Sequence, residues 1–347
     1  MTQSQANPRA AVIILNWRAA ADTVQCALSA AALDHENLDI IVCDNASGDG
    51  SFEAIGASLA EQLPTINQHR VARGMRPFVQ GALEASTLAT PPHVDDASRR
   101  LWVVQTGRNG GYAAGNNVGA RLALAEPDVE YVWILNNDTR VEPDAMTRLL
   151  ERMAQDPAIG ICGAKVVYLE NPDRVQSLGG GRFLRGRARC ELIGMGSSAQ
   201  TPVDAGAVEA TLSYVNGAAA LVRRTLIETV GYMDEGYFLY WEEIDWAVRA
   251  AGRFRLGYCD AAKVYHRVGM SIGTSDDGQS SMLSEFYLTR SKFRFLRRHH
   301  PGLLLLALPN LGRAVVRELL AGRPARARNL LVAAVGGRLQ PSAAARA

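Results

Sequence analysis

What most constrains this chain is an alternation, through its first half, of short and nearly all-apolar runs with longer helical stretches. AVIIL (11–15), LDIIVC (38–43), LWVVQ (101–105) and VEYVWIL (129–135) read as buried strands, and residues 20–33, 50–63, 112–125 and 143–155 carry helical spacing. Strands apolar on both sides, each followed by a helix, predict an α/β fold: a mostly parallel sheet flanked by helices. Ligands of such sheets bind beyond the carboxyl ends of the strands, so the residues just after each run matter most. Residues 64–100, mixed and polar with Pro91-Pro92, read as an insertion between the second and third strands. Further on, an irregular stretch is expected from 179 to about 207 and strand signal at 211–222. A helix over 241–252, short strands at 254–259 and 263–266, and helices from 281 broken at Pro301, Pro309 and Pro324 complete the pattern.

The strand ends share a polar signature. Asn16-Trp17 follows the first run, Asp44-Asn45-Ala46-Ser47 the second, and Asn136-Asn137-Asp138-Thr139 the fourth, while the loop after the third holds Asn109-Gly110-Gly111 and Asn116-Asn117. One such residue would merely end a strand or cap a helix. Four strand ends presenting them to one sheet edge point to a ligand. Asp44 suits a ribose or base edge, and Asp138 is a hard oxygen ligand for Mg²⁺ or Mn²⁺ held together with substrate phosphates. Glycines 110, 111 and 115 let backbone approach a ligand and open a helix whose N-terminus favours anions. Gly110-x₄-Gly115 has P-loop spacing, but Asn116-Asn117 replaces the required Lys-Ser/Thr. GMGSSA (194–199) matches a dinucleotide string without its strand–turn–helix context. Both motifs are set aside.

Tyr240-Trp241-Glu242-Glu243-Ile244-Asp245-Trp246 clusters three acids among aromatics. At a helix start these acids favour the macrodipole, and Asp245 can pair with Arg249 at i+4. An apolar setting raises a carboxyl pKa and suits a general base; spacing leaves Glu243 the least compensated, nearer Trp246. His266 by itself is more readily structural than a ligand.

Taken in order, VIILNW (12–17), DNAS (44–47), NGGYAAGNN (109–117), LNND (135–138), YVNGAAALVRR (214–224) and FLYWEEIDWAVRAAG (238–252) resemble the family-2 inverting glycosyltransferases of GT-A fold. The similarity covers about 11–270, and within the family it is closest to bacterial rhamnosyltransferases of surface-polysaccharide assembly. The resemblance implies a metal-dependent enzyme with donor-binding residues Asn16, Asp44, Asn45, Asn109, Gly110, Asn117, Asn137 and Asp138. It also implies a general base at Glu243, beside Glu242, and Asp138 and His266 as ligands of Mg²⁺ or Mn²⁺. The donor half would run to about 140 and the acceptor half over about 141–280, forming one domain over 1–280. The implied donor is a dTDP- or UDP-sugar, with dTDP-L-rhamnose favoured by subgroup, and the implied acceptor is a glycan or a lipid-linked glycan. Two departures stand out: Asn136 replaces the first acid of the family's D-x-D, and Glu243 replaces a frequent Asp. They keep open a catalytically inactive sugar-nucleotide-binding or scaffold protein. A nucleotidyltransferase would need a glycine-rich loop after the first strand, where Asn16-Trp17-Arg18 has none.

Charge is divided unevenly. Residues 284–347 hold twelve Lys or Arg and two acids, so a tail of +10 follows a body of −8 in a chain of net +2. Residues 281–347 therefore read as a basic, amphipathic helical tail whose partner is either an anionic membrane surface or the acidic body. Arg290, Arg294, Arg297 and Arg298 share one stripe, and Leu308, Leu311, Val315 and Leu319 another. No helix-turn-helix, RRM or zinc-finger pattern accompanies the basic residues, so no nucleic-acid partner is expected. Residues 1–10 lack a signal-peptide core and the five cysteines form no C-x-x-C pair. Both point to a cytoplasmic chain, peripheral on the inner membrane face if the tail binds lipid.

Overall fold

The computed structural model describes residues 7–88, 94–267 and 282–339. Pro91-Pro92, Arg346 and the boundary drawn at 280/281 lie outside them. Strand β1 (Arg9–Asn16) is central because it is apolar on both sides: Ala10, Val12 and Ile14 enter one core, Ala11 and Ile13 the other. β2 (Leu38–Asp44) and β5 (Val129–Asn136) flank it in parallel, and β4 (Arg99–Gln105) and β3 (Phe78–Leu83) continue the parallel half beyond β2. Past β5 the sheet is mixed. β12 (Ala219–Arg223) runs antiparallel between β5 and β7 (Ile159–Tyr168), β13 (Arg255–His266) is parallel to β7, and β6 (Thr139–Val141) is antiparallel to β13. β8 (Val175–Leu178) pairs with β7, while β9 (Gly180–Leu184), β10 (Arg189–Leu192) and β11 (Tyr214–Val215) form a small separate sheet.

Helices α1 (Ala20–Ala31), α2 (Ser51–Ala72) and α4 (Ala145–Gln155) cover one face with Cys26, Ile55, Leu59, Met146 and Leu149. α3 (Gly111–Leu124), α6 (Arg224–Val230) and α7 (Glu242–Ala250) cover the other with Ala113, Ala120, Leu226 and Trp246. A short α5 (Ala205–Glu209) precedes β11. At the amino ends of the strands, buried Asp39 is clamped by Arg9 at 3.0 Å and Arg100 at 2.7 Å. That edge is structural, and the opposite edge is left for ligands.

Residues 64–100 are not a plain insertion. α2 continues through Pro64 to Ala72, and β3 then adds the parallel edge of the sheet. Pro64 is exposed, so the carbonyl it leaves unbonded can meet water, and FVQGAL, interrupted by Gln80-Gly81, is half solvated as an edge strand can be. The stretch from 179 to 207 likewise contains β9 and β10, and the two strands expected at 254–266 are one strand with an irregularity between Cys259 and Lys263.

The tail folds onto the body. α8 (Met282–His299) buries Phe293, Phe295 and Leu296 in one cluster with Tyr237, Trp241 and Ile244. Arg294 reaches Asp234 at 3.0 Å, and Arg298 and His299 reach Asp245 at 3.4 and 2.7 Å. Much of the predicted Arg stripe therefore neutralises body acids, and Arg297 donates to the Ala334 carbonyl in α10 (Pro324–Ala334). Between them α9 (Leu304–Leu320) passes Pro309 unbroken, because Leu305 and Pro309 face solvent and the freed carbonyl can be hydrated.

Candidate active site

Parallel registry brings the predicted ends together: Asn16 lies opposite Asp44, and Leu15 opposite Asn136. Most of the polar groups there are already engaged. The Asp44 carboxylate accepts from Asn16 Nδ2 (2.7 Å), Ser47 Oγ (2.6 Å), Ser47 N (3.1 Å) and Gln105 Nε2 (3.0 Å), which fills its acceptor sites. Asn16 Oδ1 accepts from Thr23 Oγ1 (2.8 Å), and Asn137 Nδ2 donates to the same Thr23 hydroxyl (3.0 Å). These buried residues hold the loop edge in shape. A nucleoside meeting Asp44 must displace one of its partners, and Gln105 is the half-buried one.

The glycines serve packing in this structure. Gly111 has φ +86, and a Cβ there would lie 2.1 Å from the Phe238 carbonyl, which accepts from Tyr112 N at 2.7 Å. Gly111 N donates to Asn109 Oδ1, which also accepts from Asn45 Nδ2 at 3.0 Å. The first donors of α3 are thus taken by protein groups, contrary to the reading of a free anion site. At Gly110 a Cβ would meet Ala114 Cβ at 2.6 Å, and at Gly115 it would meet Leu15 at 2.4 Å. The Asn117 amide donates to Met233 O (2.9 Å) and Glu235 (3.1 Å), which ties α3 to the segment before the acids.

Asp138 and His266 do meet, with Nε2 and Oδ1 3.1 Å apart. His266 Nδ1 donates to Gln176 Oε1 at 2.8 Å, so its Nε2 lone pair faces Asp138 and the Asn136 amide at 3.3 Å. A lone pair set against a carboxylate calls for a proton or a cation. Gln176 is the kind of outer partner that fixes a metal-binding imidazole. Asn136 Oδ1 is buried without a partner. This N,O donor set fits a divalent ion completed by phosphates and water. Among the described residues, no group of three or more His, Cys, Asp or Glu could hold one by itself.

Glu242 and Glu243 start α7 directly after Tyr240 (φ 64) and Trp241 (φ 73), two consecutive left-handed residues without glycine. Such strain persists only where packing enforces it, and buried Trp241 lies in the cluster shared with α8. Glu242 is buried and burial, reinforced by Glu243, pushes its carboxyl well up. Burial also raises Glu243, to about 7. Each has one buried oxygen, Oε2, without a partner. Glu243 differs in lining an open cavity of about 320 Å³ with Tyr240 and Trp241, whereas Trp246 packs away in the sheet core. Asp245 is spent on Arg249 at 2.7 Å, as its spacing predicts. Tyr112, whose hydroxyl donates to Gly217 O at 2.7 Å, feels both groups. Besides burial, the carboxylates of Glu242, Glu243 and Asp138 all push its hydroxyl pKa up. Gln105, Gln176 and the cavity residues Arg189, Tyr214 and Lys292 carry no local motif, because each is brought in by a different element.

Residues 84–212 match the model of Glycosyl transferase family 2. That stretch, somewhat over a third of the chain, is similar to the family. The matched stretch includes the Asn109–Asn117 loop and Asn136–Asp138 and ends before Glu242. A low-salt glycan biosynthesis hexosyltransferase, Agl10 of Haloferax volcanii, is 26% identical over 47% of this chain and 50% of its own length. Protein y4gI of Sinorhizobium fredii is 30% identical over 56% of this chain and 21% of its own. The chain thus aligns with half of the first relative and about a fifth of the second. The mannosyltransferase PcManGT from Pyrobaculum calidifontis, solved with GDP-Man and Mn²⁺, shares the fold at a TM-score of 0.51. It is 16% identical and the alignment covers 95% of this chain and 86% of that one. The chain therefore has the fold of that structure, a mostly parallel sheet between helices.

Proposed function

We propose that the protein is an inverting glycosyltransferase. It would move a sugar from a nucleotide-diphosphate donor to a hydroxyl of a glycan or lipid-linked acceptor. The observation that carries this reading is that Tyr112 feels both the Asp138 of the Asp138–His266 pair and the Glu243 carboxyl, whose Oε2 is without a partner. Glu243 would take the acceptor proton as the acceptor oxygen bonds to the anomeric carbon. The bond from that carbon to the diphosphate oxygen breaks on the opposite face, which inverts the centre. Glu242, deeper and without the opening, would stay protonated and keep a second charge out of the pocket. Asp138 and His266, with Asn136 beside them, would hold Mg²⁺ or Mn²⁺, and the ion would neutralise charge on the leaving diphosphate. The resemblance to rhamnosyltransferases favours dTDP-L-rhamnose and cell-surface polysaccharide synthesis. The description of Agl10 supports a hexose and a glycan product.

No helix among the described residues is long and apolar enough to cross a membrane. We place the protein in the cytoplasm, on the inner membrane face, docked on anionic lipid through α9. Leu305, Leu308, Val316, Leu319 and Leu320 are all exposed on that helix, and exposed Arg313 and Arg328 lie on it and on α10. A bare apolar stripe rimmed by cations fits an anionic interface.

Calorimetric titration of UDP, dTDP and GDP, with and without Mg²⁺ or Mn²⁺, tests the donor site. Asp138→Ala should weaken the preferred nucleotide and abolish its metal dependence. Unchanged affinity and metal dependence in that variant would overturn the assignment.

A further inference from the structure

The cavity that opens on Glu243 is built from three unrelated parts of the chain. β10 and β11 supply Arg189 and Tyr214, the strained turn supplies Tyr240 and Trp241, and α8 supplies Lys292. Its volume of about 320 Å³ is at the small end for a ligand pocket. Its walls are aromatic, as a sugar ring prefers, but its charge is unusual. Glu243 is the only carboxylate in the lining. The Lys292 ammonium, half-buried, has no hydrogen-bond or ion-pair partner among the described residues. Arg189 is paired with Glu191, so Lys292 is the cation the fold leaves uncompensated. Of the other basic side chains of α8, Arg294 and Arg298 are spent on Asp234 and Asp245 and Arg297 on a carbonyl, while Arg290 lies outside the cavity lining. Burial lowers the Lys292 pKa, which is the cost of holding it there. An unpaired, partly desolvated ammonium can donate to a neutral sugar hydroxyl, but it pairs more strongly with an anionic oxygen.

We propose that this cavity is the acceptor subsite and that it takes an acceptor bearing an anionic oxygen group, a carboxylate or a phosphate, which pairs with Lys292 while a neighbouring hydroxyl faces Glu243. The proposal rests on the glycosyltransferase reading of the same site. It makes the C-terminal helix a specificity element as well as a packing one. A charge-assisted contact to a partly buried ammonium should favour an anion over its neutral analogue by about tenfold or more.

Titration of the full chain with phenyl β-D-glucuronide, phenyl phosphate and phenyl β-D-glucoside, at saturating nucleotide, tests this. In the wild type at least one anion should bind about tenfold tighter than the glucoside, and which one does so distinguishes a uronic acid from a phosphate source. Lys292→Met should bring the anion down to parity with the glucoside, while Lys292→Arg should keep the preference. Unchanged glucoside affinity in Lys292→Met shows that the pocket is intact. The proposal fails if the glucoside binds the wild type as tightly as both anions, if no probe binds, or if Lys292→Met retains the preference. Nucleotide binding to the wild type is recorded alongside: its absence would sink the glycosyltransferase reading itself, and its presence with any of those results sinks only the acceptor proposal.

Discussion

Two adjacent glutamates, with the same side chain and the same helix turn, are given different surroundings by the packing around them. Glu242 is enclosed and Glu243 is open to a cavity, so only Glu243 can exchange a proton with a substrate. Its carboxyl, raised from 4.5 to about 7, also makes a stability statement. The folded form holds a proton that the unfolded form has lost once pH passes the unfolded value. Glu243 should therefore contribute a fall in stability as pH rises from about 4.5 to about 7, by on the order of 1–3 kcal/mol, and the raised Glu242 adds a fall of its own. Thermal melts of the wild type and Glu243→Gln across pH 4 to 9 check this: the variant should lose the Glu243 share of the slope and melt higher than wild type above pH 7. Residue types at the strand ends were legible in the sequence, but their partners were not. Asn16 and Asp44 stand where a ligand would be met, yet they spend their groups on Thr23, Ser47 and Gln105, which come from three other segments. The opposite happened with His266: alone in its segment it said little, and the fold set it against Asp138 with Gln176 behind it.

Element by element, the strands with apolar residues on both faces were readable because their periodicity repeats within a few residues. β3 was not, since Gln80-Gly81 interrupts its short apolar run at the sheet edge, and Pro64 and Pro309 did not end their helices because they face water. The joint between α3 and the segment before α7 is an element-level device that links α3 to the acids. Gly111 permits it twice, by its positive φ and by the close approach of the Phe238 carbonyl. Gly111→Ala should therefore lower stability by more than the roughly 1 kcal/mol of the backbone term alone. It should also reduce turnover by moving Tyr240–Glu243. Denaturant unfolding and activity of that variant check both effects, and a neutral result in each would show that the joint is slack.

At the scale of the molecule, charge asymmetry and fold answer each other. α8 turns its arginines and a histidine onto Asp234 and Asp245 of the acidic body, so part of the basic tail is consumed within the chain. What remains outward is α9, with Leu305 at 76% and Leu320 at 86% exposure, which no described segment covers. Vesicle flotation should show salt-sensitive binding to phosphatidylglycerol-containing liposomes and little to neutral ones, and Leu305→Asp with Leu319→Asp should abolish it. Equal behaviour on both lipids would remove the membrane from the account.

The central claim, that one opened glutamate and one metal-ready pair make this a working transferase, is tested most directly on Glu243→Gln. Turnover and nucleotide affinity should be measured side by side, using a panel of nucleotide sugars with Mn²⁺ and taking hydrolysis or transfer as readout. The account predicts a wild-type rate that rises with pH through about 7. In the variant the rate should fall about 10²–10⁴-fold while nucleotide affinity is kept. A variant that turns over at the wild-type rate, or a wild type that binds nucleotide and turns over no sugar donor in the panel, would contradict it.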